Sequence, residues 1–160
     1  HPEVQGVLCG SFRRMAQASG DIDFLITTPG YAANSSGEPQ PNAGELLRAY
    51  LQTLKEIGYI TGDLLNGSTR YMGVCRLPGP GRLHRRIDVR CFRWDHYAFG
   101  TLYFTGSKAL SIRMRLRAME LGMTLNEYGL TNKDGVAVKA STESEIFEAL
   151  GMEYLEPSER

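Results

Sequence analysis

Gly10-Ser11-Phe12-Arg13-Arg14, followed after five residues by Gly20-Asp21-Ile22-Asp23, is the stretch from which the rest of the chain is read. Asp21 and Asp23 stand two apart in a segment, Asp21 to Thr27, whose Ile22, Phe24, Leu25 and Ile26 predict a buried strand. Side chains alternate along a strand, so both carboxylates fall on one face. Two parallel carboxylates repel one another, and a divalent cation of the Mg²⁺ type between them relieves that repulsion. Upstream, Gly10-Ser11 closes an apolar strand (Val7, Leu8, Cys9) and Phe12-Arg13-Arg14 opens a helical turn. Backbone N–H groups at such a turn, backed by an arginine, suit a phosphate. A phosphate cradle beside a metal-binding acidic pair is the minimum apparatus of phosphoryl or nucleotidyl transfer. An exposed hairpin with chance charges fits this stretch, taken alone, equally well.

The chain has 160 residues, enough for one domain or two small subdomains with a real core. It contains no apolar run long enough to span a membrane and no basic-then-apolar leader. It begins at His1-Pro2 and enters a strand almost at once, as expected of an excised piece. Cys9, Cys75 and Cys91 each lie in an apolar, strand-like stretch, which predicts buried free thiols rather than a disulfide or zinc site. His1, His84 and His96 lack metal-ligand spacing and read as surface or turn residues.

Eighteen Lys and Arg balance eighteen Asp and Glu, so net charge favours no partner, but its distribution does. Nine of the eighteen cations (Arg82, Arg85, Arg86, Arg90, Arg93, Lys108, Arg113, Arg115, Arg117) lie in one central stretch, opposed only by Asp88 and Asp95. From Ala118 onward acidic residues dominate. This is the pattern of a polyanion-facing surface with a solvated acidic end.

A polar loop, Thr28 to Pro41, leads to a helix that Asn42 and Glu45 cap and Gly58 ends, with Leu46, Leu47, Tyr50, Leu51, Leu54 and Ile57 as its apolar stripe. Asn66-Gly67 between two strand-like runs, Tyr59 to Leu65 and Tyr71 to Leu77, predicts a tight hairpin. A strand follows from His84 to Cys91, with Ile87 and Val89 on one face and Arg86, Asp88 and Arg90 on the other. If it neighbours the acidic strand, three carboxylates converge, enough to hold two metal ions and take a proton from an attacking hydroxyl. Periodicity does not decide that pairing, and a salt-bridged Asp88 among arginines is the plain alternative.

A helix is expected from Asp95 to Thr105, and another capped by Ser107 with Leu110, Met114, Ala118 and Leu121 inward. Strands from Thr124 to Leu130 and Val136 to Val138 follow, then a helix with a Thr142/Glu145 capping box, stopped by Gly151.

Taken together, Gly10-Ser11-Phe12-Arg13-Arg14, Gly20-Asp21-Ile22-Asp23, Arg85-Arg86-Ile87-Asp88, Tyr103-Phe104-Thr105-Gly106 and Asn126-Glu127-Tyr128 resemble, in order and spacing, the family X DNA polymerases. The resemblance covers nearly the whole chain. It implies an α+β fold: a nucleotidyltransferase-like palm of mixed β-sheet and packed helices over residues 1–105, and a small α+β thumb (fingers by another convention) over residues 106–160. It also implies roles. Asp21, Asp23 and Asp88 would bind two Mg²⁺ ions, with Mn²⁺ able to substitute, and Asp88 would stand near the primer 3′-hydroxyl. Gly10, Ser11, Arg14 and Gly20 would meet the triphosphate. Tyr103, Phe104, Gly106 and Ser111 would meet the sugar and base, Ser111 standing where many members have Asn. Arg86, Arg90, Arg115 and Glu127 would serve the DNA, Arg86 at the primer end and Glu127 holding Arg115 or its neighbours. Met15 stands where members commonly have Gly.

The implied activity is DNA-directed DNA synthesis in gap-filling repair, by base excision repair or end joining. The implied substrates are gapped or primer–template DNA and a deoxynucleoside triphosphate, for a monomer in the nucleus or the mitochondrion. The family's helix-hairpin-helix and lyase regions are expected to lie outside this sequence. Rival readings are a template-independent transferase, which would carry a longer loop in the hairpin at Leu65 to Tyr71, a non-catalytic DNA-binding scaffold, and a nucleotidyltransferase acting on RNA or a small molecule.

Overall fold

The computed structural model describes residues 3–29, 32–33, 39–40 and 43–160. The expected Asn42 cap and most of the 28–41 loop therefore lie outside the described residues. The chain packs as two compact units, His1–Leu8 with Ser19–Trp94, and Cys9–Ala18 with Asp95–Arg160. Among the described residues no helix is long and apolar enough to cross a membrane.

The first unit is built on a five-stranded mixed sheet. Its strands are β1 (Gln5–Leu8), β2 (Asp21–Thr27), β5 (Ile60–Asn66), β6 (Arg70–Cys75) and β7 (Arg85–Cys91), in the order β1-β2-β7-β6-β5. A separate two-stranded pair, β3 (Ala32–Ala33) and β4 (Pro39–Gln40), lies between β2 and α2 in the chain. Helix α2 (Ala43–Glu56) covers the sheet with Leu47 and Leu51 against Ile26, Tyr71, Ile87 and Val89. Ile57, expected in the apolar stripe, is 60% exposed, because the helix has already ended at Glu56.

The hairpin turn falls at Gly67-Ser68-Thr69, where the Gly67 N–H donates to the Arg70 carbonyl at 2.8 Å. Gly73 of β6 is required by close approach: a Cβ there would collide with the phenol of Tyr71 and the carbonyl of Gly62. Strand β6 ends at Cys75 rather than Leu77, which is exposed. Cys9, Cys75 and Cys91 are buried free thiols.

Strand β7 alternates as its sequence requires: Ile87, Val89 and Cys91 are buried, and Arg86, Asp88 and Arg90 take the other face. Its neighbour on one side is β2, in parallel, with Asp21 opposite Arg86 and Asp23 opposite Asp88. The pairing that periodicity leaves open is thus made, and in the register that stacks carboxylate beside carboxylate.

The second unit gathers α1 (Gly10–Arg13), α3 (Tyr97–Thr105), α4 (Lys108–Glu120) and α5 (Glu143–Ala149) with a small sheet. That sheet is β8 (Thr124–Asn126), β9 (Gly129–Thr131) and β10 (Ala137–Val138), in the order β10-β9-β8. Its core joins Phe99, Leu102, Leu110, Met114, Ile146 and Phe147. A 3₁₀ turn, Trp94–His96, precedes α3 in place of the first turn of the expected helix. Ser107 caps α4 by accepting from the Leu110 N–H, and Thr142 with Glu145 forms a complete capping box on α5.

Two expectations fail here. Leu121 is 39% exposed, because it lies past the last turn of α4 as its C-cap. The expected strand from Thr124 to Leu130 is broken into β8 and β9, because the Asn126 side chain accepts from the N–H groups of Tyr128 and Gly129 and turns the chain.

Met15 completes α1 in an unusual way. The Met15 N–H donates to the Phe12 carbonyl and the Ala16 N–H to the Ser11 carbonyl, both at 3.0 Å. These are the two bonds of a Schellman turn, whose penultimate position is left-handed and normally glycine. Met15 adopts φ 60° there, with its side chain 78% exposed and unable to offset the cost by packing. Replacement Met15→Gly is expected to raise unfolding free energy by about 1 kcal/mol, the left-handed penalty less the added chain entropy of glycine. Denaturant melts of the two proteins check it; a less stable glycine variant would contradict the strain.

Candidate active site

The parallel register brings the acidic residues of two strands together. One carboxylate oxygen from each of Asp21, Asp23 and Asp88 lies within 4.8 Å of the others, and all three residues are half-buried. The three come from β2 at its start and β7 at its middle, so two hydrogen-bonded strands hold their spacing. Arg86, opposite Asp21 and two positions before Asp88 on β7, donates from its guanidinium to Asp21 Oδ2 and places Nε 3.5 Å from Asp88 Oδ1.

Asp88 Oδ1 is buried and accepts no hydrogen bond. Burial pushes the Asp88 carboxyl above the usual carboxylate range; the Arg86 charge pulls it back and the Asp21 charge adds to the rise. A buried carboxylate oxygen without a donor, beside two further carboxylates, suits a hard divalent cation. Asp21, Asp23 and Asp88 are the residues that would hold it.

Of the phosphate-type residues, Gly10, Ser11 and Arg14 lie in the second unit. Gly10 opens α1, buried and with φ 56°. Ser11 follows on the same turn, and Arg14 caps it, donating from Nη1 to the Thr105 carbonyl at 2.6 Å. Gly20, exposed, belongs to the first unit immediately before β2. Tyr103 and Phe104 occupy the last turn of α3, Tyr103 with 38% of its surface exposed. Gly106 caps that helix with φ 71°.

Within the second unit, Leu102, Tyr103, Ser111, Met114, Arg115 and Asn126 line a shallow, open pocket. Ser111 does not aim its hydroxyl freely there: it donates to the Ser107 carbonyl at 3.0 Å. Arg115 lies 5.7 Å from the centroid of the Tyr103 ring and 3.7 Å from Glu127 Oε2. Arg90 stands on β7 opposite Leu25 of β2, one alternation beyond Asp88.

Four residues escape the sequence reading. Glu143, at the start of α5, is only 9% exposed. Its oxygens accept from Arg13 Nη2 at 2.6 Å, Arg13 Nη1 at 3.0 Å and Arg160 Nη1 at 2.6 Å. Arg13 also donates to the buried hydroxyl of Thr105 at 2.7 Å. Arg160 has no exposed side-chain surface and lies 5.5 Å from the centroids of both Phe147 and Tyr154. The available hint was that Glu145 already fills the capping box, leaving Glu143 without a local task.

Comparison with known proteins bears on this geometry. Residues 1–93 match the family model of the DNA polymerase beta palm, and residues 100–160 that of the DNA polymerase beta thumb. The chain belongs to the family X DNA polymerases. It is 38% identical to DNA polymerase lambda of Rattus norvegicus over 176 aligned residues, covering 100% of this chain and 29% of the relative. Against DNA polymerase lambda of Arabidopsis thaliana identity is 33%, over 99% of this chain and 32% of the relative. DNA polymerase IV of Saccharomyces cerevisiae is 34% identical over 50% of this chain and 14% of its own length. The family X chain described here thus spans about a third of the length of the two lambda relatives. Its α+β fold and its acidic cluster, which lies inside the palm match, agree with that membership.

Glu143 makes acid stability testable. Burial, the largest influence, pushes its carboxyl up, but the hydrogen bonds and charges of Arg13 and Arg160 together outweigh it and hold the carboxyl below the usual range. A depressed folded pKa contributes stability that is complete above the unfolded glutamate value and lost as pH falls through the folded one. Glu143→Gln is therefore expected to cost about 3 kcal/mol near neutral pH, with the gap to wild type closing on acidification. Urea melts between about pH 7 and about pH 3 measure it; a gap independent of pH would contradict the assignment.

Proposed function

We propose that this chain carries the nucleotidyl-transfer centre of a DNA polymerase, joining deoxynucleotides from triphosphates to a primer 3′-hydroxyl. The observation that carries the reading is the β2–β7 register, which sets Asp88 beside Asp23 and leaves Asp88 Oδ1 without a hydrogen bond. Names of relatives support it: two are DNA polymerase lambda and a third is DNA polymerase IV.

Asp21 and Asp23 would hold two divalent ions, Mg²⁺ with Mn²⁺ as substitute, and Asp88 would complete the ion site at the 3′-hydroxyl. Such ions, when bound, ease deprotonation of that hydroxyl and offset the charge of departing pyrophosphate. The 3′-oxygen bonds to the α-phosphorus as the bond to the bridging oxygen breaks, and Asp88, beside that hydroxyl, would help to take up its proton. Gly10, Ser11, Arg14 and Gly20 would bind the triphosphate. Tyr103, Phe104, Gly106 and Ser111 would line the sugar and base. Arg86 would stand at the primer end, Arg90 would serve the DNA, and Arg115, steadied by Glu127, would meet the template.

Residues 1–105 would act as palm and 106–160 as thumb, a division by role that differs from the division by packing. The three-residue turn between β5 and β6 leaves no loop able to stand in for a template strand, which favours template-directed synthesis. Gap filling in nuclear DNA repair, by a monomer, is the setting that this reading gives.

In the full natural polypeptide, Asp88→Ala is expected to lower primer extension with Mg²⁺ by roughly a thousand-fold or more while leaving DNA affinity nearly unchanged. Gapped duplex should be extended and a lone single strand should not. Near-normal extension by the alanine variant would overturn the assignment, and efficient extension of the lone strand would replace template direction with terminal transfer.

A further inference from the structure

Between Asp63 on β5 and Asp88 on β7 the chain contains no acidic residue, yet it carries Arg70, Arg76, Arg82, Arg85 and Arg86. Arg86 is paired with Asp21 and Asp88 in the acidic cluster. Arg76 and Arg82 have no such use. They stand in the connection between β6 and β7, and among the described residues no acid pairs with either. Every residue of that connection, 76–84, is exposed. Leu77 and Leu83 are exposed with the rest, so apolar packing does not account for the loop, and a Cβ on Gly79 or Gly81 would meet nothing within 4 Å. A solvated turn ordinarily mixes charges of both signs. Cations gathered without acids repel one another, and a polyanion relieves that repulsion.

The sheet fixes where the loop stands. Cys75 and Arg85 form the last pair of the β6–β7 ladder, so Arg76 and Arg82 lie one and three residues beyond it. Strand β7 runs from the loop through Arg86 to Asp88, and its parallel neighbour β2 begins at Asp21, opposite Arg86. The loop therefore leaves the sheet on the side where the acidic cluster begins. At about 3.3 Å per residue, Arg82 stands at most about 20 Å from Asp88, which is the rise of about six base pairs of duplex. Pro78 and Pro80 fix part of the turn and lower the cost of ordering it on a ligand.

We propose that the β6–β7 loop is a further DNA-binding element, in which Arg76 and Arg82 contact backbone phosphates of the duplex behind the primer end, within about six base pairs of the 3′-hydroxyl. The proposal rests on the reading that the primer end lies at Arg86 and Asp88, because Arg86 is on the loop side of Asp88. Contacts of this kind set affinity and register without reading sequence, and they leave the chemical step unchanged.

The test is equilibrium binding of gapped duplex, over a series of salt concentrations, by the full natural polypeptide and by its Arg76→Gln/Arg82→Gln variant. Loss of two phosphate contacts is expected to raise Kd about ten-fold at about 0.1 M salt and to lower the slope of log affinity against log salt by about 2. The melting temperature should not change, and kcat at saturating DNA should stay within about two-fold. Arg76→Lys/Arg82→Lys, which keeps the charges, should keep the wild-type slope. Uncharged methylphosphonate linkages over the about six primer positions behind the 3′-end should weaken the wild type and erase its advantage over the glutamine variant. An unchanged Kd and slope in the glutamine variant overturns the proposal, as does an advantage that survives the uncharged linkages, which places the contact elsewhere. Asp88→Ala separates the two levels. If that variant extends primers normally, the active-centre reading itself fails; if it does not, and the glutamine variant binds as the wild type does, only the loop assignment fails.

Discussion

The parallel hydrogen-bonded pairing of β2 with β7 is the constraint on which the account depends. Each strand carries acidic residues for its own reasons of alternation, and neither alone gathers more than two carboxylates. Only the register that sets Asp23 against Asp88 brings three within 4.8 Å. A shift of one residue would turn Asp88 into the apolar layer and bring Ile87 or Val89 to the acidic face. The core enforces the register, because Ile87 and Val89 are buried against Tyr71 and α2 on the opposite side. The same apolar packing that stabilises the sheet therefore maintains an electrostatically unfavourable cluster.

The second unit meets a different problem. A one-turn helix with two adjacent arginines cannot hold its own orientation, and the fold answers by burying an acid from α5 against it. One carboxylate, shared by Arg13 and Arg160, ties α1 and α5 to the final residue of the chain, and Thr105 extends the network to α3. Arg160 adds two aromatic contacts at its guanidinium, which offset part of its desolvation.

What was legible in the sequence is what local physics decides. The hairpin at Gly67, the Ser107 cap, the Thr142 and Glu145 box and the alternation of β7 follow from turn chemistry, capping and period two. The β2–β7 neighbourhood did not follow, since alternation fixes the face a side chain takes and says nothing of which strand lies alongside. Glu143 left no local signature because its partner Arg13 is 130 residues away. Ile57 and Leu121 misled because an apolar residue one step past a helix end continues the pattern but not the burial. The break at Asn126 shows a side chain competing with strand pairing for backbone N–H groups, a contest that composition does not reveal.

The central claim is that Asp21, Asp23 and Asp88 form one divalent-cation centre. Crystals of the protein soaked with Mn²⁺ and a non-hydrolysable deoxynucleoside triphosphate, measured at the manganese absorption edge, test it most directly. The account requires anomalous density between the three carboxylates, with Asp88 Oδ1 among the ligands and Arg86 displaced from Asp21. Manganese bound elsewhere, or an acidic cluster that stays paired with Arg86 and free of anomalous signal, would contradict it.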